Sequence, residues 1–153
     1  MSSELSMQYA GFWKRYFALM VDSIIIIVML WICFFVLTFL VSIIKYHIDN
    51  ITVKNFISII DLIVSWGIIL LLPWIYFSYM ESSKHQATLG KMALGIIVVD
   101  KNGNKISFGG ATGRFLGKII SYAILLIGYI MVAFTQNKQG LHDILSGTYV
   151  INK

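Results

Sequence analysis

Apolar and polar positions in this chain fall in long blocks. From Ser23 to Ile44 no side chain is charged, a stretch long enough to cross a hydrocarbon core of roughly 30 Å as a helix. A second block runs from Phe56 to Met80, interrupted by Asp61 and Pro73. Pro73 removes one backbone donor, which predicts a kink. A third block, Ile119 to Phe134, has only about sixteen residues and is short for a single span. Between the second and third blocks, Ile96-Ile-Val-Val-Asp-Lys-Asn-Gly-Asn-Lys-Ile-Ser reads as two short strands around a turn. The hairpin signal there is Asn102-Gly103, flanked by β-branched residues. Thr148 to Asn152 is a further strand-like run near the C-terminus.

These blocks leave one topological choice open. If the third block crosses once, the C-terminal strand and the hairpin lie on opposite sides. If it re-enters by turning near Gly128, both stay on one side, and the non-helical backbone must then be covered by protein or water. The re-entrant form is favoured. The expected fold class is an all-α integral membrane protein. It has two full transmembrane helices, a third membrane-embedded segment, re-entrant or hairpin, and a small cytoplasmic β-hairpin. Residues 1–10 and 151–153 read as tails around one membrane domain, 11–150.

Composition agrees with this pattern. Of the 153 residues, 58% are hydrophobic and 12% charged, against about 45–50% and about 25% in soluble domains. The net charge of +5 is spread beside the apolar blocks, where basic residues set orientation. A nucleic-acid partner is therefore not expected, and an anionic lipid surface is. Lys84, Lys91, Lys101, Lys105, Arg114 and Lys118 face only Glu81 and Asp100 between the second and third blocks. That bias places this region and the N-terminus in the cytoplasm and the protein in the cell membrane as a multi-pass chain. The first block is too long for a signal-peptide core. Cys33 is the single cysteine and forms no intramolecular disulfide.

Candidate chemistry is sparse. No nucleophile–histidine–acid arrangement stands out, so catalysis is not expected. The three histidines, His47, His85 and His142, show no metal-ligand spacing, and no cofactor is implied. Lys14, Lys91, Arg114 and Lys118 are expected at lipid headgroups. Asp61 lies in the second block at a different depth from Asp22; it is an accessory proton or cation site or, more plainly, an acid near a helix N-terminus. Gly90, Gly95, Gly113 and Gly117 allow close helix packing, with turn formation the plainer role at Gly90 and Gly95.

Four pieces stand in order: Gly11-Phe-Trp-Lys-Arg15 leading to Asp22; Ala87-Thr-Leu-Gly-Lys91-Met-Ala-Leu-Gly95 before a strand; Ser107-Phe-Gly before Arg114; and Gln139-Gly-Leu-His-Asp143 with Gly147-Thr. Together they resemble the RDD family of small membrane proteins over nearly the whole chain. The resemblance implies that Arg15, Asp22 and Asp143 are the arginine and two aspartates of the family's name. It also implies a transport-related activity, with proton-coupled exchange of sodium or another small cation as one form. Arg15 and Asp22, seven apart, share a helix face but are separated by a rise of about 10 Å. Asp143, with neighbouring His142, completes the cluster if the C-terminal segment folds back. Such a cluster is either an ion or proton site or a structural clamp. Transport by so small a chain requires a homo-oligomer. The alternative is a non-transporting accessory protein that binds a larger membrane partner.

Overall fold

A computed structural model describes residues 8–124 and 127–153 of the chain. Helix α1 spans Phe12–Tyr46 and α2 spans Ile51–Ser82. Short elements follow: α3 (Leu89–Ala93), β1 (Ile96–Asp100), α4 (Phe108–Ala123), α5 (Ile127–Ile130), a 3-10 turn over Met131–Ala133, α6 (Leu141–Leu145) and β2 (Thr148–Asn152). Two compact units result, one of residues 23–73 and one of residues 8–22 with 74–153.

The first unit contains the apolar parts of α1 and α2. Both helices are long and apolar enough to cross a membrane, and in their most apolar windows only 6% and 0% of residues are covered by protein. So much uncovered Ile, Phe and Leu is unfavourable in water and ordinary in lipid. Asn50 starts α2 by accepting from the Thr52 N–H at 2.9 Å. The helix continues through Pro73.

The second unit is held by a two-stranded antiparallel sheet, β1 against β2, with Val98 opposite Val150. Tyr9 bridges Ile151 on the outer side of β2. Ala10, Ala18, Ile96, Val98, Ile106, Ala111 and Val150 form its apolar core. The strand at 96–100 therefore pairs with the C-terminal strand, and the expected hairpin around Asn102-Gly103 does not form. Asp100 Oδ1 accepts from the N–H groups of Asn102 and Asn104, both at 2.8 Å. This side-chain turn ends the strand and releases Ile106 into the core instead of a second ladder. Residues 151 and 152 belong to β2, and 8–10 run beside it, so neither end of the described chain is a loose tail; residues 1–7 lie outside the description.

Pairing of β1 with β2 puts both strands on one side of any membrane. The segment between them accordingly makes no single crossing. At its turn, Gly128 packs on Ser121, where an added Cβ would lie 2.7 Å from the serine Cβ; Leu125 and Leu126 lie outside the described residues.

A helix–glycine–strand unit occurs twice, which the sequence reading did not detect. Thr88, Leu89, Gly95 and Val98 match Gly140, Leu141, Gly147 and Val150 in order and at one constant offset. Gly95 and Gly147 have φ of 63° and 61°, the left-handed conformation that lets each short helix turn into its strand.

Candidate charged site

All of the ionic groups brought together lie in the second unit. Helix α1 contributes Arg15 and Asp22, the end of α2 Tyr76 and Glu81, α3 Lys91, α4 Arg114 and Lys118, and α6 His142 and Asp143. Thr88 caps α3 by accepting from the Lys91 N–H at 3.4 Å, which fixes where the lysine leaves the backbone. An added Cβ on Gly90 would clash with the Ala18 carbonyl and lie 2.9 Å from the Asp22 carboxyl, so glycine lets α3 press on α1. Gly117 serves likewise, with His142 Cα 2.9 Å from its Cβ position. Gly113 has open space there, and no packing role follows for it.

Glu81 is the centre of the network. It is 1% exposed and meets three cations: Lys91 Nζ at 2.8 Å and Lys118 Nζ at 3.2 Å on Oε1, and Arg114 Nε at 2.9 Å on Oε2. Arg114 continues to Asp143 Oδ1 at 2.6 Å and donates to Thr148 Oγ1. Arg15 pairs with Asp143 Oδ2 and donates through Nε to the Ala10 carbonyl at 3.1 Å. The Gly140 N–H reaches the same Oδ2 at 3.1 Å. Two arginines thus share one carboxylate and tie α1, α4 and α6 together.

Asp22 is held differently. Tyr76 Oη donates to its Oδ1 at 2.7 Å, Thr88 Oγ1 to its Oδ2 at 2.6 Å, and the Gly90 N–H to Oδ1 at 2.8 Å. Three neutral donors surround it at 1% exposure.

Burial and charge set the protonation states. Burial opposes the ionised form of Asp143, but Arg114, His142 and Arg15 overcome it and hold the carboxyl well below its usual range. Burial pushes the His142 imidazole down to about 3 despite Asp143 beside it, so it is neutral. Lys91 is lowered to about 8, by burial first, against the pull of Glu81.

Against expectation, Asp22 does not join Arg15 and Asp143; the latter two do meet. His142 Nε2 lies 3.4 Å from Asp143 Oδ1. Lys91, Arg114 and Lys118 are 8%, 1% and 7% exposed and face Glu81, not a headgroup layer; the correction follows from Glu81, whose buried charge requires partners. Lys14 remains at the surface and donates to Asn152 Oδ1 at 2.7 Å. Asp61 lies in the other unit; among the described residues its shielded Oδ1 has no hydrogen-bond partner. No trio of His, Cys, Asp or Glu side chains among the described residues could hold a metal. The sequence reading missed Glu81, Tyr76 and Thr88. One signal was available: Glu81 stands in the last turn of α2, where the helix dipole disfavours an acid unless cations compensate.

The RDD family model matches residues 9–147, nearly the whole chain. This chain belongs to the RDD family. Three Bacillus subtilis (strain 168) proteins are similar to this RDD protein. The uncharacterized protein YxaI is 34% identical, covering 94% of this chain and 97% of its own. The uncharacterized membrane protein YteJ is 29% identical over 97% and 84%, and the uncharacterized protein YckC 31% over 92% and 83%. No solved structure matches.

Proposed function

We propose that this RDD membrane protein is a non-transporting accessory protein, locked by its charge network and bound to a larger membrane partner. The observation that supports this best is the state of the three buried acids. Both oxygens of Asp22, Glu81 and Asp143 are engaged by donors or cations of the chain itself. An entering Na⁺ would have to displace them and approach Arg15, Lys91, Arg114 and Lys118, which repel it. In this reading the N-terminus is cytoplasmic. Lys14, Lys84, Lys101 and Lys105 remain exposed to set that orientation, and the α4–α5 segment dips into the inner leaflet.

Proton flux in proteoliposomes, with Na⁺, K⁺ and Li⁺ compared, tests the proposal. The expected result is no saturable flux from correctly oriented protein, together with a stoichiometric membrane partner that survives purification. Saturable flux lost in a folded Asp22→Asn variant would overturn it. Proton-coupled cation exchange in a homo-oligomer is the second reading, favoured by Asp61 Oδ1, which has no hydrogen-bond partner among the described residues. That reading requires flux that Asp61→Asn abolishes.

A further inference from the structure

A cavity of about 270 Å³ lies in the unit of residues 8–22 and 74–153. One part of its lining is apolar, including Phe12, Leu19, Phe77, Ile130 and Val132. Arg15, Lys91, Arg114, Lys118 and His142 border it at one end, with Asp22 as the one acid, and offer it only a narrow polar opening in a mainly apolar wall. Glu81 and Asp143, the acids that balance these cations, do not line it.

The cationic part is short of acceptors. Lys91 and Lys118 share one oxygen, Glu81 Oε1, although each ammonium has three donors. Lys118 Nζ also lies 3.8 Å from the centre of the Phe77 ring, a weaker partner than a carboxylate. Among the described residues, four cations against Asp22, Glu81 and Asp143 leave one positive charge over. A buried surplus of this kind is costly unless an anion joins it.

We propose that this cavity binds the phosphate group of a small anionic amphiphile, with Lys91, Lys118 and Arg114 taking the phosphate and the aromatic wall its apolar portion. The proposal rests on the reading that the network excludes cations; liposome flux tests that reading by itself, so the two can fail separately. The volume lies just below the usual range of ligand pockets, roughly 300–1,000 Å³, and suits a head group with the first few carbons of its chains, the rest of a lipid lying outside. A phosphomonoester could be a lipid head or a soluble metabolite.

The experiment is thermal unfolding of the full chain in neutral detergent with dioctanoyl phosphatidic acid, dioctanoyl phosphatidylcholine, glycerol 3-phosphate or inorganic phosphate. Saturable stabilisation by phosphatidic acid, and not by phosphatidylcholine, is expected. An equal effect of glycerol 3-phosphate would assign the site to a soluble phosphate. Lys118→Gln should weaken binding by about tenfold or more. Val132→Phe, at a lining residue that is 3% exposed, takes up cavity space and leaves every charge in place, so it should weaken binding even if Lys118→Gln folds poorly. Stabilisation by none of these phosphates, equal stabilisation by the two lipids, or native binding in a folded Val132→Phe variant would overturn the proposal.

Discussion

Asp22 and Asp143 each hold the start of one of the two matching helix–glycine–strand units, and they are held by opposite means. Asp22 reaches from α1 to the Gly90 N–H and accepts its hydrogen bonds from neutral donors. Asp143 belongs to its own helix, accepts from the Gly140 N–H and is met by Arg15 and Arg114. Both are buried, so equal burial has been offset in one case by hydrogen bonds and in the other by charge. Replacing a carboxylate by its amide should separate the two, because an amide keeps an acceptor but discards the charge.

The largest effect should fall on neither aspartate but on the group between them. Glu81→Gln leaves Lys91 and Lys118 without an anion and Arg114 with only Asp143, and should cost about 3–5 kcal/mol. Thermal unfolding in detergent checks this, and a loss below about 1 kcal/mol would remove Glu81 from the centre of the network. Asp143→Asn comes next, at about 3 kcal/mol, since it uncouples two arginines. Asp22→Asn should cost about 1–2 kcal/mol, the loss of one or two charge-assisted hydrogen bonds. Equal losses in the two amide variants would break the comparison.

Packing supplies a smaller test. Gly117→Ala must push α6 away from α4 at His142, at about 1–3 kcal/mol. Gly113→Ala, on the same helix with open space around it, should be neutral or slightly stabilising through helix propensity. Unfolding of the two variants side by side reads this difference.

The remaining effect is one of pH. His142 is lowered to about 3 in the folded chain, against about 6.5 when unfolded. Between these values the unfolded chain binds the extra proton, so stability rises with pH across the window and falls on acidification below about 6.5. By pH 5 the loss should be about 1–2 kcal/mol, and His142→Gln should flatten it. Asp143 adds its own loss only below the ordinary carboxylate range. A stability curve without slope between pH 6.5 and 5 would place a charged imidazole beside Asp143 in the folded state.

The two long helices were legible because uninterrupted apolar blocks declare themselves by length. The ordered pieces around Arg15, Ala87–Gly95 and Gln139–Asp143 were legible as a family pattern, and the meeting of Arg15 with Asp143 followed from it. Asp22 was legible as one of the family's two aspartates, but its partners were not. Tyr76 and Thr88 are residues of ordinary kinds at unremarkable spacings, and only the approach of α3 to α1 at Gly90 turns them into a cage. Lys91, Arg114 and Lys118 looked like surface cations because their common acid, Glu81, lies in another element.

Local pattern thus determined what the chain does by itself: long apolar helices, short β-branched strands, a turn at Gly95, and a cationic bias next to the apolar blocks. Tertiary structure decided which strand pairs with β1, that the third apolar block makes no single crossing, and which acid meets which base. The physical reason is range. Helix and strand preferences are summed over a few neighbouring residues, whereas a buried charge is satisfied by whatever the fold brings within about 3 Å, here from residues as far apart in sequence as Arg15 and Asp143.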